Sequence, residues 1–259
     1  MKHVASVAGR ELRSLFVSPV AYGVLSLFAV LAGIFFVLDL AWFEQVLFQY
    51  QQYPDQLDDF NLNDGLLREF FSSLSVVFLF LIPGITMGVY AAEKSNGTEE
   101  LLLTSPLTIW DIVLGKFVAG AIFIAAMVGI VGAFAGVLFF YGDPELGKTL
   151  SGLLGLLLLG WTYVAIGGVA SAVARSQIVA FLITLVVLVT LLLLPGIAEF
   201  GVAGSAPAVA DTLRYLSVQL HFDSLLNGLV DSSDLAYYAM MIGSFLAITK
   251  AAVESVRWR

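Results

Sequence analysis

Residues that could carry out covalent or acid–base chemistry are scarce in this chain. It contains no cysteine, which excludes disulfides, thiol catalysis and thiolate metal sites. The two histidines, His3 and His221, lie too far apart in sequence for their spacing to suggest a metal site. Asp39 is the single carboxylate inside a long hydrophobic run, and no partner is evident for it there. We therefore expect no catalytic residue, no metal site and no cofactor bound by this chain.

The composition is that of a membrane protein. Of 259 residues, 59% are hydrophobic and 12% are charged, whereas a soluble domain carries about 25% charged residues. The mean hydropathy is +0.95. No soluble core could hide this much apolar surface, so the sequence predicts an all-α polytopic membrane protein, with one transmembrane domain over residues 1–259. The N-terminus does not have the form of a signal peptide, so we expect the first hydrophobic run to stay in the membrane.

Hydrophobic runs predict six transmembrane helices, because about 20 apolar residues suffice to cross the hydrocarbon core. The predicted spans are residues 20–43, 70–92, 117–140, 150–172, 177–198 and 235–253. Asp39 falls near the outer end of the first span, beside Trp42 and Phe43. We expect its carboxylate to reach water at the headgroups, with a functional role left open.

Proline and glycine mark positions where these helices could bend or meet. Pro83-Gly84 in the second span and Pro195-Gly196 near the end of the fifth predict hinges. Gly132 and Gly136 form a GxxxG pattern, which we interpret as helix packing rather than as a specific dimer interface.

Residues 1–19 are predicted to form an elbow helix at the membrane surface. Apolar residues recur every three or four positions, whereas Arg10, Glu11 and Arg13 fall mostly elsewhere. Such a helix lies along the bilayer with its basic face toward the headgroups. Ser18-Pro19 then turns the chain into the first span.

Basic residues predict that both termini are cytoplasmic. With six spans and an inside N-terminus, nine of the 12 Lys and Arg residues lie inside and three lie outside, at Arg68, Lys148 and Arg214. This bias follows the positive-inside rule. The net charge of −8 then reflects acidic outer loops and not a basic partner. Residues 44–69 form one such loop; a calcium site there is conceivable, but the regular ligand spacing of an EF-hand is missing.

Residues 93–116 are the longest polar interruption on the inner side. Asn96-Gly97 predicts a turn, and Thr98 can cap a short helix that ends at Pro106. That helix would present three consecutive leucines, a pattern typical of a helix that inserts into a groove of a partner. Thr108 and Asp111 resemble a capping box for a second helix. The residues assigned to this contact are Glu93, Gly97, Thr98, Glu100, Leu101, Leu102, Leu103 and Pro106.

The third outer loop, residues 199–234, is long enough to suggest a role. Val209, Leu213, Leu216 and Leu220 recur at helical spacing, which predicts an amphipathic helix. It could fill space at the outer interface, or it could re-enter between helices and cap a pathway.

The inner loop resembles that of ABC-2 type transporter permeases. The resemblance rests on Glu93, Gly97-Thr98, Glu100-Leu101-Leu102, Pro106 and Leu114-Gly115-Lys116, together with Arg10-Glu11-Leu12 before the first span. A second set of residues resembles the gliding-motility-type branch of that family, except that Asn227 stands where an arginine is expected. This set is Tyr215, His221, Phe222, Asp223, Gly228, Asp231, Asp234 and Tyr238.

The resemblance implies a non-catalytic permease subunit of an exporter in a bacterial cytoplasmic (inner) membrane. Such permeases pair with a second permease copy or a related permease and bind two cytosolic ABC ATPase subunits. This chain has no GxxxxGK[ST] motif, so ATP and Mg would be bound by the ATPase chains. Residues 93–104 would be the coupling helix. No nucleic-acid partner is implied.

Other function classes remain to be weighed. By resemblance to gliding-type systems, the chain could instead relay ATPase motion to a membrane-anchored envelope protein without moving a solute. An intramembrane enzyme or a secondary transporter would need ionisable groups within the spans, where they are almost absent.

Overall fold

The computed structural model describes residues 2–50, 62–97, 107–199 and 207–256 of the chain, and the regular elements within them are all helical. Six helical stretches are long and apolar enough to cross a membrane. They are Pro19–Phe48, Asn63–Ser95, Ile109–Tyr141, Leu146–Val173, Gln177–Ile197 and Ser232–Ser255. The prediction of an all-α protein with six spans is therefore confirmed.

The helices are numbered in chain order. They are α1 Lys2–Val17, α2 Pro19–Tyr50, α3 Arg68–Thr86, α4 Ala91–Ser95, α5 Ile109–Tyr141, α6 Leu146–Val173, α7 Gln177–Ile197, α8 Pro207–Leu216, α9 Val218–Leu226 and α10 Ser232–Val256. A π-helical turn, Asn63–Leu67, leads into α3. We call the end of the bundle that carries α1 and α4 the α1 end, and the opposite end the α9 end.

The predicted polar loop at residues 44–69 is wrong at both of its borders. Helix α2 continues through Glu44 to Tyr50, because no glycine or proline stops it before Pro54. At the other end of the predicted loop, residues 63–69 are helical: the π-helical turn Asn63–Leu67 leads into α3, which begins at Arg68. Asp39 consequently lies well before the end of α2, and its Oδ2 is buried without a hydrogen-bond partner among the described residues.

The second span breaks at a different place from the predicted one. Helix α3 runs through Pro83-Gly84 and ends at Thr86. Residues 87–90 form a turn, after which α4 begins at Ala91. The lost hydrogen bond at a proline is tolerated inside a membrane helix when neighbouring groups compensate. In the last turn of α3, the hydroxyl of Thr86 donates to the carbonyl of Ile82 at 2.9 Å.

Helix α6 lies at the centre of the bundle and packs against α3, α5, α7, α9 and α10. It buries the largest share of its surface among the six spans, whereas α2 and α7 bury the smallest. Glycines make this close packing possible. A Cβ atom at Gly160 would come within 2.5 Å of Ile124 on α5, and one at Gly167 would collide with Thr86 on α3.

Aromatic side chains fill the space between α2, α3 and α5. Phe28 and Phe78 are completely buried, with ring centroids 5.5 Å apart. Phe36 meets Phe70 edge to face at 5.3 Å and Phe134 at 5.5 Å. Such pairs add about 0.5–1.5 kcal/mol each beyond the burial of their area. They fix α2, which is otherwise little covered, to the rest of the bundle.

Candidate functional site

Helix α1 is held against the start of α5 by close backbone approach. Val7 and Ala8 are 5% and 4% exposed, so the apolar face of α1 is covered where it crosses α5. A Cβ atom at Gly115 would lie 2.6 Å from the side chain of Val7. The chain bends at Ser18, whose hydroxyl accepts from the amide of Val20 at 3.3 Å, and α2 begins at Pro19.

Lys116, in the second turn of α5, is the centre of an ionic cluster at this end. Its side chain is only 3% exposed. Its ammonium donates to Oε1 of Glu93 at 2.7 Å and to the carbonyl of Val89 at 2.7 Å, and it lies 3.6 Å from Oε1 of Glu11. It also lies 5.2 Å from the centroid of the Tyr90 ring. A buried ammonium costs several kcal/mol unless it is paired. These contacts therefore fix α1, the α4 region and α5 relative to one another.

The break between α3 and α4 is stabilised by a residue of α6. The hydroxyl oxygen of Ser171 accepts from the amides of Tyr90 at 2.9 Å and Ala91 at 3.0 Å, and it donates to the carbonyl of Met87 at 2.9 Å. Ser171 is fully buried. One side chain thus satisfies three backbone groups that a continuous helix would have paired internally.

The short helix α4 is anchored to α6 by a second contact. Lys94 donates a hydrogen bond to the carbonyl of Ala172, at the C-terminal end of α6. Asn96 ends α4, and Gly97 follows with φ +66°, a conformation that favours glycine. The predicted turn at Asn96-Gly97 is confirmed.

Only some of the predicted coupling residues lie in the part of the chain that the structure describes. Glu93 and Gly97 are described, whereas Thr98, Glu100, Leu101, Leu102, Leu103 and Pro106 lie outside the described residues. On the far side, Thr108 and Asp111 form a capping box, as expected: the Asp111 amide donates to the Thr108 hydroxyl oxygen at 3.2 Å, and the Thr108 amide donates to the carboxylate at 3.2 Å. The segment 98–106 is therefore flanked by two well-defined helix termini.

A cavity of about 340 Å³ lies beside the ionic cluster. Parts of α1, α3, α4, α5, α6 and α10 line it. Glu11, Glu93 and Lys116 form its polar wall, and most of the remaining lining is apolar.

The predicted elbow residues have different surroundings. The guanidinium of Arg10 donates to Oε1 of Glu11 at 2.8 Å and is 58% exposed. Glu11 also faces Lys116, and Arg13 is exposed. Of the three, Glu11 is thus the one that connects the surface of α1 to the buried cluster.

At the α9 end, the predicted single amphipathic helix is instead two helices. Ser217 separates α8 from α9 and caps α9 by accepting from the amide of Gln219 at 3.2 Å. The predicted apolar stripe is mostly exposed, with Val209 at 50% and Leu220 at 46%. A different face of α9 packs against α6, because a new helix start after Ser217 resets which residues share a face. This face consists of Val218, His221, Phe222, Leu225 and Leu226.

His221 ties α9 to its neighbours at both ring nitrogens. Nδ1 lies 2.6 Å from Oδ1 of Asp234 on α10, and Nε2 donates to the carbonyl of Tyr215 on α8 at 3.0 Å. The ring stacks on Tyr237 with a centroid distance of 3.8 Å. His221 and Asp234 are 3% and 6% exposed. Three helices therefore meet at one buried histidine.

The other predicted outer residues have mainly structural contacts. Phe222 is buried against Gly155 of α6, and Gly228 has φ +81° after α9. Burial raises the pKa of Asp223, an effect that nearby Arg68 opposes. The backbone amide of Ser233 donates to Asp231 at 3.2 Å and lowers the pKa of its carboxyl.

Sequence reasoning missed several contacts of these sites. Lys116 was part of the resemblance, but its buried ion pair was not predicted, although a lysine eight positions into an apolar helix signals a buried partner. The contact of Asp234 with His221 and the role of Ser171 were not predicted either, because the partners come from different helices. Pro195 and Gly196 lie in the last turn of α7.

Comparison with known families identifies the chain. No curated protein matches the sequence significantly. The family model described as ABC-2 family transporter protein matches residues 5–255, nearly the whole chain. Together with six membrane-spanning helices, this match makes the protein a multi-pass membrane component of an ABC transporter, which works with a separate ABC ATPase. The chain belongs to the ABC-2 transporter family of membrane permeases.

Proposed function

We propose that this chain is the exporter-type permease subunit that converts ATPase motion into movement of its own helices, with the α1 end in the cytoplasm. The observation that carries the proposal is the contact of Lys116 with both Glu93 and Glu11. It joins the start of the 93–116 loop to α1 and α5 through groups that are costly to separate. The nine-to-three distribution of basic residues supports the orientation.

The loop would receive force at residues 98–106, where three consecutive leucines suit a groove in the ATPase. Force applied there reaches α4 on one side and α5 on the other. Lys94 and Ser171 both connect the α4 region to α6. Because α6 contacts most of the other spans, a displacement of α4 would be shared by the whole bundle.

Bending during this motion would use the turn at residues 87–90, with Pro83 and Gly84 just before it. A Cβ atom at Gly84 or Gly196 would meet no atom of the described residues within 4 Å, so the packing described does not require either glycine. Gly84 and Gly196, each beside a proline, are therefore available as hinge points, with Pro195 serving α7.

At the α9 end, α8 and α9 would form the outer closure of the pathway. The contacts of the buried His221 with Asp234 and with the carbonyl of Tyr215 connect α8, α9 and α10 there into one unit. The residues that resemble the gliding-motility-type branch, among them His221, Phe222 and Tyr238, cluster in this unit. Assembly with two ATPase subunits and with a second permease copy or a related permease belongs to the same proposal; a membrane-anchored envelope protein is the partner in the relay alternative.

The test is co-purification of the permease with its ATPase from cells that express both. Leu102→Asp would leave the permease in the membrane and abolish ATPase recovery, because a carboxylate cannot enter an apolar groove without loss of its hydration. Leu229→Asp is the matched control, since Leu229 is 65% exposed at the opposite end.

Undiminished ATPase recovery with Leu102→Asp would refute the coupling assignment. Reconstituted vesicles separate transport from mechanical relay: substrate-dependent ATPase activity with solute movement supports the exporter. ATP hydrolysis without movement of any offered solute would favour the relay of motion to an envelope protein.

A further inference from the structure

The ring of His221 faces two hydrogen-bond acceptors. Its Nδ1 lies 2.6 Å from Oδ1 of Asp234, and its Nε2 lies 3.0 Å from the carbonyl oxygen of Tyr215. A backbone carbonyl only accepts, so this second contact requires a proton on Nε2. The first contact requires a proton between the ring and the carboxyl group. Both contacts together need two protons, one more than a neutral imidazole and an ionised carboxylate hold between them.

The carbonyl of Tyr215 belongs to the C-terminal end of α8, which His221 caps. The last four carbonyls of a helix have no partner within it, and Tyr215 precedes the final residue of α8, Leu216. The carbonyl of Leu216 accepts from the hydroxyl of Tyr237 at 2.8 Å. A protonated histidine at a helix C-terminus donates to a free carbonyl and complements the partial negative charge there. The Nε2 proton therefore stabilises the end of α8 as well as its contact with α9.

After the loss of one proton, His221 can make only one of its two contacts. The contact with Asp234 persists, because a hydrogen bond to a carboxylate is roughly twice as strong as one between neutral groups. The remaining ring proton then lies on Nδ1, and Nε2 presents a lone pair to the carbonyl of Tyr215. These two acceptors repel each other, and the carbonyl loses its donor. Of the three helices that meet at His221, α8 is thus the one whose contact is lost.

The surroundings of His221 are otherwise mainly aromatic. The rings of Tyr215 and Tyr237 lie at centroid distances of 5.2 Å and 3.8 Å from it, and phenols stay neutral where histidine ordinarily titrates. Helix α7 has no titratable residue between Gln177 and Ile197. Among the described residues, Asp234 is the charged group within hydrogen-bond distance of the ring. The other titratable residues on or near the elements packed around α9 are Lys148 and Tyr163 of α6, Asp211 and Arg214 of α8, Asp223 of α9, Asp231 and Tyr238 at the start of α10, and Arg68 and Glu69 near Asp223.

We propose that His221 is a proton-dependent contact: with Nε2 protonated it holds α8 to α9 and α10, and loss of that proton as the pH rises releases the C-terminal end of α8. Histidine is the side chain whose charge ordinarily changes between about pH 5 and pH 8. Phe222 and Leu225 keep α9 packed on α6 in both states. The inference rests on the proposed function only for the role of this unit as the outer closure, which the pH outside the membrane would then regulate.

The protonation of Nε2 is measured by nitrogen-15 NMR on the permease without its ATPase, in lipid nanodiscs. The range is about pH 5 to pH 9, which extends past the interval in which histidine ordinarily titrates. The chain has two histidines, so His3→Gln, at an exposed position of α1, leaves the ring of His221 as the one observed. The purification tag contains no histidine. Hydrogen exchange of the α8 amides is followed over the same range and corrected for the intrinsic exchange rate at each pH.

We expect Nε2 to carry a proton at the acid end of this range and to lose it at the alkaline end, while the contact with Asp234 remains. The amides in the last turn of α8 should then exchange about tenfold faster, which corresponds to roughly 1.4 kcal/mol, a magnitude typical of one hydrogen bond. Amides in the middle of α10 should not show this change.

Asp234→Asn is the decisive variant, because an amide can donate to Nδ1 where a carboxylate cannot. A single ring proton, on Nε2, then suffices for both contacts. Nε2 should stay protonated throughout, and the exchange of the α8 amides should no longer depend on pH. Asp143→Asn, which neutralises an exposed carboxylate between α5 and α6, is the matched control and should behave as the parent does.

The proposal would be overturned by an unprotonated Nε2 at the acid end, by an Nε2 that keeps its proton throughout in the parent, or by equal pH dependence in the parent and Asp234→Asn. If Asp234→Asn does not fold, the titration of Nε2 in the parent, together with the exchange of its α8 amides, still decides the question. None of these measurements involves the ATPase. A failure of coupling through Leu102 would therefore leave them unchanged, and their failure would leave the coupling assignment intact.

Discussion

The ammonium of Lys116 lies 2.7 Å from the carboxylate of Glu93, across 23 positions of the chain. The bridge spans the whole 93–116 loop and joins its two ends. Glu11 lies 3.6 Å from the same ammonium, so α1 shares the contact. The loop that is proposed to meet the ATPase is therefore closed at its base by one buried ion pair, and a rigid base is what force transmission requires.

Removing the charge of Lys116 should destabilise the fold and loosen the base of this loop. Lys116→Gln removes the ammonium that Glu93 contacts at 2.7 Å, which costs about 2–4 kcal/mol given the partial exposure of the carboxylate. Glu93→Gln added to it should recover part of the loss, since the carboxylate that lost this ammonium is then neutral. Denaturant unfolding of the four proteins of this double-mutant cycle measures the coupling.

Lys148→Gln is the control for that cycle. Lys148 pairs with Asp64 at 3.0 Å, but the two side chains are 23% and 38% exposed. A pair so accessible to solvent contributes about 0–1 kcal/mol. An equal loss in the two lysine variants would contradict the special role of Lys116.

Ser171→Ala should destabilise the break between α3 and α4. The variant leaves the buried amides of Tyr90 and Ala91 without their acceptor, at about 1–3 kcal/mol for each unsatisfied group unless water enters. Hydrogen exchange of these two amides should accelerate more than that of amides in the middle of α6. Ser255→Ala, which removes an exposed hydroxyl bond to Ala252, should change stability by less than about 0.5 kcal/mol.

His221→Phe should weaken the α9 end even though the new ring can still stack on Tyr237. The loss comes from Asp234, which is 6% exposed and would lose its 2.6 Å contact, and we expect about 2–4 kcal/mol. The double variant His221→Phe with Asp234→Leu should be more stable than the single one. His3→Phe, at an exposed position of α1, serves as the control. A fully additive pair of substitutions would show that the two side chains are not coupled.

Asp223 and Asp231 should give stability profiles of opposite sign with pH. Burial raises the pKa of Asp223 above its ordinary value of 3.8, so the folded state binds more protons than the unfolded state above that pH. Its contribution to stability therefore declines as the pH rises from 3.8 through the raised pKa of the folded state. Asp223→Asn should be more stable than the parent at neutral pH, and the difference should vanish below pH 3.8.

The pKa of Asp231 is lowered from 3.8, so this carboxylate contributes stability above that value, which is lost as the pH falls through the folded-state pKa. Asp231→Asn should accordingly be less stable than the parent at neutral pH and equal to it in acid. Unfolding measured from pH 3 to pH 8 checks both variants. Parallel curves for the two would refute the assigned environments.

The sequence by itself determined the class of the fold and the number of spans. Hydrophobic length and helix caps are local properties, because the bilayer thickness and the first-turn hydrogen bonds depend only on nearby residues. The six spans, the corner at Ser18 and the capping box at Thr108 follow from such local features. The family resemblance of the loop needed no structure either.

The tertiary structure alone decided where the second span breaks and which polar residues meet. Pro83-Gly84 is the local signal for a break, but Ser171, 81 positions from Tyr90, stabilises one at residues 87–90 instead. The contacts of Lys116 with Glu93 and Glu11, and of His221 with Asp234, likewise join residues of different helices. A buried polar group is stable only where partners converge on it, and that convergence depends on the packing of helices that are distant in sequence.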